Sequence, residues 1–344
     1  MTTLMQQEIF SEPTMMKRTI KACKPVLPEI YKAFKERGIT NILTLARGTS
    51  DNAATVFSFV CPIVTGIHVG LYRPSLTTIY NKDIDMKHTC MVVISQSGMS
   101  KDTIAVTENA IKNGAMTIAV TNNEDSPVAK MADFHLFLDV EEEKSVAATK
   151  TYIGELFALY MLTSTLSGNF EVDYYDKLAD RIQEILDLTP TIKDVAKKLQ
   201  NSKDAIVLSR GTMLGTSDEC ALKLTECCYI FSRSFATSNF MHGPLSLLDE
   251  TANVILLAPK GNCVAEFTTM AQRAKAAGAN LTVFSNIPEV LECATNAVAM
   301  PDADIFEAPV LYGVAASLLA LNIGLAKGLN VDTPRNLNKV TITL

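Results

Sequence analysis

The sequence predicts an α/β fold of two tandem domains, each a parallel sheet flanked by helices. Two observations carry this. The chain repeats itself at a nearly constant offset, and each copy alternates short apolar β-branched runs with amphipathic stretches. Residues 41–49 read N-I-L-T-L-A-R-G-T and residues 204–212 read D-A-I-V-L-S-R-G-T, so Gly48 and Gly211 lie 163 positions apart. M-V-V-I-S-Q-S-G at 91–98 pairs with V-I-L-L-A-P-K-G at 254–261, again 163 apart. G-A-M-T-I-A-V-T-N at 114–122 pairs with G-A-N-L-T-V-F-S-N at 278–286, shifted by 164. Gene duplication is the simple source of three matches at one spacing.

Taken in order, residues 5–38 form a helical lead-in. The first copy places strands at 41–46, 66–71, 91–95, 116–121 and 134–139, with helical stretches such as 51–60, 101–113 and 150–166 between them. A linker falls at 167–175, around Ser167-Gly168-Asn169. Residues 172–201 are a second helical lead-in, which Pro190 is expected to break. The second copy runs from 204 to about 327. The expected division is a lead-in at 1–38, a first domain at 39–170, a second at 171–330 and a C-terminal tail at 331–344.

Bulk properties exclude several classes. At about 150 residues per domain, 344 residues suit two domains. A net charge of −6 without a basic block argues against a nucleic-acid partner. The longest apolar stretches, 56–71 and 311–326, are shorter than the roughly 20 residues of a membrane span, so no membrane partner is expected. Lys17 and Arg18 precede no apolar core of a signal peptide. Eight scattered cysteines without a C-x-x-C pair, and only four histidines, give no metal cluster and fit reduced thiols in the cytoplasm.

The segment Ser95-Gln96-Ser97-Gly98-Met99-Ser100 joins a strand to a helix. Ligands of open parallel sheets bind at such strand ends. A helix N-terminus offers unpaired N–H groups and partial positive charge to an anion, Gly98 permits close approach, and three hydroxyls donate to phosphate oxygens without adding charge. The plain alternative is N-capping, which needs one hydroxyl rather than three. The matched second-copy loop, Ala258-Pro259-Lys260-Gly261, keeps the glycine and lacks the hydroxyls. The fold therefore does not require them, and the expectation is that the first copy alone holds phosphate.

Glu219, Lys223 and Glu226 share one face of a helix expected at 215–230. They form either an exposed salt-bridge ladder or, given the apolar neighbours, a sheltered carboxylate able to move protons. His242 stands before Gly243-Pro244, a rigid turn. Lys339 lies in the tail segment 333–339, where a solvated lysine is the plain reading, and Thr49-Ser50 follow the first strand, facing the same crevice or capping a helix. Residues 143–150, E-K-S-V-A-A-T-K, read as a loop before a helix.

Together S-Q-S-G-M-S at 95–100, R-G-T-S at 47–50, A-L-K-L-T-E at 221–226, H-G-P at 242–244 and P-R-N-L-N-K at 334–339 resemble the isomerase half of the glutamine–fructose-6-phosphate amidotransferases, of the SIS phosphosugar-isomerase family, nearly end to end. The resemblance implies two SIS domains. It also implies that Ser95, Gln96, Ser97 and Ser100 hold a sugar phosphate and that Thr49, Ser50, Val146 and Ala148 line the sugar site. Glu226 would move a proton between C1 and C2 beside Glu219. His242 would assist ring opening from the other subunit of a homodimer, and Lys339 would form a Schiff base with the open-chain ketose. No cofactor is implied.

Three departures shape the expected activity. Met1 falls about where the glutaminase half of such synthases would end, Ala148 replaces their usual serine, and Asn239-Phe240-Met241 replaces Glu-Leu-Lys before H-G-P. The 143–150 segment is closer to stand-alone SIS-type amino-sugar-phosphate deaminases. The expectation is an isomerising deaminase that converts an amino-sugar phosphate such as glucosamine 6-phosphate to fructose 6-phosphate and ammonia. The alternatives are a fructosamine-6-phosphate deglycase, an aldose–ketose isomerase and a non-catalytic phosphosugar-binding regulator.

Overall fold

The computed structural model describes residues 2–339. Helices α1 (Leu4–Cys23) and α2 (Leu27–Glu36) lead into β1 (Asn41–Leu45), α3 (Thr49–Thr65), β2 (His68–Leu71), α4 (Ser75–Thr78), β3 (Thr89–Ile94), α5 (Lys101–Lys112), β4 (Met116–Thr121), α6 (Pro127–Met131), β5 (Phe134–Phe137) and α7 (Lys150–Ser167). Helices α8 (Val172–Leu186) and α9 (Thr189–Leu199) precede the second copy. That copy comprises β6 (Asp204–Ser209), α10 (Leu214–Cys228), β7 (Phe231–Ala236), α11 (Thr237–Met241), β8 (Asn253–Ala258), α12 (Val264–Ala276), β9 (Asn280–Ser285), α13 (Pro288–Leu291), β10 (Asn296–Ala299) and α14 (Ala308–Ala326).

Two five-stranded sheets result, in the orders β2-β1-β3-β4-β5 and β10-β9-β8-β6-β7, with every pairing parallel. Counted within its own copy, each sheet has the order 2-1-3-4-5, so the sequence repeat is a repeat of topology. The glycines that align in the repeat share a backbone demand. Gly48 and Gly211 have φ +55° and +61°, Gly98 and Gly261 +60° and +150°, and Gly114 and Gly278 +88° and +76°. Side-chain-bearing residues avoid this region, which is why these positions kept glycine while neighbours diverged.

The chain forms two compact units. Among the described residues, the first-sheet unit holds Ser11–Glu143, Lys150–Ala179 and 338–339; the second-sheet unit holds 2–10, Lys144–Thr149 and Asp180–Leu337. In the first unit all six residues of β3 are buried, and α7 is enclosed along nearly its whole length against α3. In the second, α14 is buried from Ala308 to Gly324 and packs on α10 and α9. This 19-residue helix is apolar enough to cross a bilayer by composition, but it lies inside the unit. Each enclosed Leu, Ile, Val or Phe contributes about 1.5–3 kcal/mol of transfer free energy.

Several boundaries differ from the sequence expectation. Helix α3 begins at Thr49, two residues earlier than expected, with Gly48 at its N-cap. Helix α8 begins at Val172, the expected start of the second lead-in, so of the expected linker only residues 168–171 lie outside a helix. The break between α8 and α9 falls at Asp187-Leu188. Pro190 sits in the first turn of α9, where its missing N–H has no intrahelical acceptor to lose. All eight cysteines are free thiols.

Candidate functional site

In a 2-1-3-4-5 sheet the connections from strands 1 and 3 leave in opposite directions, which opens a crevice at their carboxyl ends. The first-sheet unit places its two sequence motifs there: Arg47-Gly48-Thr49-Ser50 after β1 and Ser95–Ser100 after β3. Ser95 Oγ accepts from Gly98 N at 3.2 Å, and Ser97 Oγ accepts from Met99 N at 3.3 Å. The Asn123 amide donates to Ser97 O at 3.4 Å. Ser100 is the N-cap residue of α5, but its hydroxyl makes no capping hydrogen bond. Ser95, Gln96, Ser97 and Ser100 are half-buried, so each remains within reach of a ligand. This is a preformed turn with hydroxyl donors at a helix N-terminus, suited to an anion.

Arg47 completes this corner, and the sequence analysis did not single it out. Its Nε and Nη2 each lie 3.1 Å from Asp102 Oδ2, on the buried first turn of α5. The second-sheet unit repeats the pair as Arg210 Nε and Glu266 Oε2, 3.4 Å apart. The spacing of arginine to acid in the two copies was the signal that could have found it. The second-copy loop has Lys260 N bonded to Asn286 Oδ1 at 2.7 Å, and Gly261 packs against Ile305. No serine lies between Ala258 and Cys263.

Ser50 is buried and donates to Glu155 Oε1 at 2.7 Å, and Thr49 is half-buried at the first turn of α3. Lys339 Nζ lies 2.8 Å from Glu143 Oε2. Thr151 holds the same carboxylate through N to Oε1 at 3.2 Å and Oγ1 to Oε2 at 2.9 Å. Glu12 is enclosed nearby, and neither of its carboxylate oxygens has a hydrogen-bond partner. Burial, and then the charge of Glu143, push its pKa well above the ordinary carboxylate range against the pull of Lys150. Of the tail expected at 331–344, residues 340–344 lie outside the described residues.

In the second-sheet unit, α10 carries Glu219, Lys223 and Glu226 on one face, but the ladder is not an exposed one. Lys223 Nζ reaches Glu226 Oε2 at 2.5 Å and Glu219 Oε1 at 3.4 Å; the side chains of Lys223 and Glu219 are 1% exposed, and that of Glu226 is 23% exposed. Burial opposes the charge on Lys223, yet the two carboxylates outweigh it and raise its pKa, so the ammonium is retained. The arrangement leaves Glu226 as the solvent-facing end of a buried triad. His242 is exposed where α11 ends, and Gly243 follows at φ +142°.

The loop 144–149 belongs to this unit and alternates. Ser145, Ala147 and Thr149 are buried, while Val146 and Ala148 are half-exposed. Two acidic residues fasten it, Glu8 through its carboxylate and Asp332 through its backbone carbonyl. Glu8 accepts from Lys144 N at 2.5 Å and from Ser145 N at 3.3 Å, and also from Ser145 Oγ. Asp332 O accepts from Val146 N at 2.9 Å, while its carboxylate caps α1 through Leu4 N at 3.0 Å and Met5 N at 2.9 Å. Among the described residues no cluster of His, Cys, Asp and Glu has a geometry that could hold a metal ion.

The SIS domain family matches residues 37–165. Over 352 residues the chain is 31% identical to a glutamine–fructose-6-phosphate aminotransferase (isomerizing) of Thermococcus kodakarensis, covering 97% of this chain and 57% of that protein. The chain spans a little over half the length of such curated relatives. Among solved structures, the C-terminal domain of glucosamine-fructose-6-phosphate aminotransferase from Francisella tularensis matches at a TM-score of 0.88 and 23% identity, over 97% of this chain and 99% of that one. A glucosamine-6-phosphate deaminase from Thermotoga maritima matches at 0.80 and 20% identity, over 99% and 100%. At these identities both structures speak to the fold.

Proposed function

From a chain that carries an SIS domain and is homologous to the isomerase half of glutamine–fructose-6-phosphate aminotransferases, we propose an isomerising deaminase of an amino-sugar phosphate such as glucosamine 6-phosphate. The observation that supports it most is the serine turn, whose Ser100 hydroxyl stands at the start of α5 without capping it. In this reading Ser95, Gln96, Ser97 and Ser100 bind the 6-phosphate, and Thr49, Val146 and Ala148 line the sugar. Ser50 supports that wall through Glu155.

His242, supplied by the partner copy of a homodimer, assists ring opening. Glu226 takes the proton from C2 and returns one to C1, with Lys223 and Glu219 fixing its position and charge. The enolamine becomes a C2 imine. Lys339 displaces ammonia from C2 as a Schiff base, and water then releases fructose 6-phosphate. Positioned acid–base catalysis of this kind accelerates by about 10²–10⁴-fold.

The test is a panel of hexosamine 6-phosphates and fructosamine 6-phosphates assayed for released ammonia or amino acid. Ammonia from a hexosamine 6-phosphate is the expected result. Amino acid from a fructosamine 6-phosphate would replace this reading with a deglycase. Ketose formation without nitrogen release would replace it with a simple isomerase, and binding without turnover with a regulator.

A further inference from the structure

We propose that Glu143 is the positioning residue of Lys339: its carboxylate seats the ammonium and stays its counterion while Nζ becomes an iminium on the open-chain ketose phosphate. The inference deepens the reading above and rests on the Schiff-base role given there to Lys339.

A lysine near a chain end normally samples many rotamers, and pairing it at the surface contributes little. This pair is different in kind. The Glu143 side chain is 0% exposed and that of Lys339 is 25% exposed, so an enclosed anion reaches a cation that still faces outward. The carboxylate is set before the lysine arrives. Thr151 holds both oxygens from the first turn of α7, where helix N–H groups favour negative charge. Lys150, also buried, donates to Glu142 O at 3.0 Å and so ties down the residue before Glu143. Glu12, enclosed beside it without a hydrogen bond, has its pKa pushed up by burial and then by the charge of Glu143.

The chemistry needs such a fixed counterion. When Lys339 condenses with a ketone, the Nζ–C2 bond forms and the C2–O bond breaks. The oxygen leaves as water with two protons from the ammonium, and the nitrogen remains a cation as the iminium. One positive charge is present before and after, so one buried carboxylate is matched throughout. Glu143 holds Nζ in place by accepting its hydrogen bond, while the two protons pass from the nitrogen to the departing oxygen.

The test uses the full chain, fructose 6-phosphate and sodium borohydride, with the adduct located by peptide mass. Lys339 is expected to be the trapped residue. Glu143→Gln is expected to slow trapping at least tenfold and to lower kcat with KM little changed, while inorganic phosphate binding stays as in the unsubstituted chain. Glu143→Asp is expected to recover part of the rate. Trapping of Glu143→Gln at the unsubstituted rate overturns the proposal. Should that variant lose its cooperative unfolding transition, Glu143→Asp decides, and an unchanged trapping rate there overturns it equally. No adduct at Lys339 in the unsubstituted chain overturns the Schiff-base role itself, a separate failure from the first.

Discussion

Lys223 Nζ stands 2.5 Å from Glu226 and 3.4 Å from Glu219, on a side chain almost wholly removed from solvent. A buried cation between two carboxylates makes both depend on it. Lys223→Met keeps the volume and removes the charge, leaving Glu219 enclosed without its cation. A loss of about 3–5 kcal/mol is expected, read as a lowered urea midpoint. Glu226→Gln keeps an acceptor for Lys223 and leaves Glu219 as its anion, so it is expected to cost less stability than Lys223→Met and to cut turnover by about 10²–10⁴-fold. Activity retained by Glu226→Gln would remove it from the reaction.

The serine turn predicts an asymmetry between the copies. Ser97→Ala and Ser100→Ala each remove one hydrogen bond to a charged group, worth about 1.5–3 kcal/mol. Titration calorimetry with a sugar phosphate should show roughly tenfold or greater weakening for each, whereas Lys260→Ala in the second copy should bind as before. Equal weakening by Lys260→Ala would place the anion in the wrong sheet.

Gly98 is bound by both conformation and space. At φ +60° a Cβ would come within 2.7 Å of Ser126 Cβ and closer still to its Oγ, which caps α6 through Ala129 N. Gly98→Ala should therefore lower stability by more than about 1 kcal/mol and abolish phosphate binding. Gly48→Ala meets no atom within 4 Å, so it should show the conformational strain without the clash and lose less. A thermal melt of the two variants compares them.

Glu12 sets a pH dependence. Its folded pKa lies well above the ordinary carboxylate range, chiefly through burial. Between the unfolded and folded values the native state binds the extra proton, so stability falls as pH rises through that window and is fully present below it. Glu12→Gln fixes the neutral form. The urea midpoint of the variant should fall less than that of the unsubstituted chain as pH is raised from 4 toward neutrality.

Glu8 is expected to act through the 144–149 loop, at a distance from any reacting atom. Glu8→Ala removes the acceptor for Lys144 N, Ser145 N and Ser145 Oγ. Because Val146 and Ala148 ride on that loop, KM should rise more than kcat falls, with about 1–3 kcal/mol of stability lost for the stranded buried donors.

Much of the architecture was written along the chain. The repeat at 163–164 positions announced two copies of one topology, since glycines at positive φ cannot drift without strain. The strand ends announced the serine turn, because hydroxyls beside a helix N-terminus need only local geometry. The equivalence of Arg47–Asp102 and Arg210–Glu266 was latent in the same spacing. The helix start at Thr49 was missed because cap and first-turn residues differ little in composition.

What the sequence by itself determined is therefore what backbone conformation and hydrophobic period impose: the duplicated α/β order, the serine turn and the shared face of Glu219, Lys223 and Glu226. Folding alone decided which of those groups lost their water. Burial turned the α10 ladder into a closed triad, left Glu12 without a partner and set Glu143 against a lysine 196 positions away. Desolvation and long-range pairing are properties of packed neighbours, and neighbours distant along the chain carry no local signal.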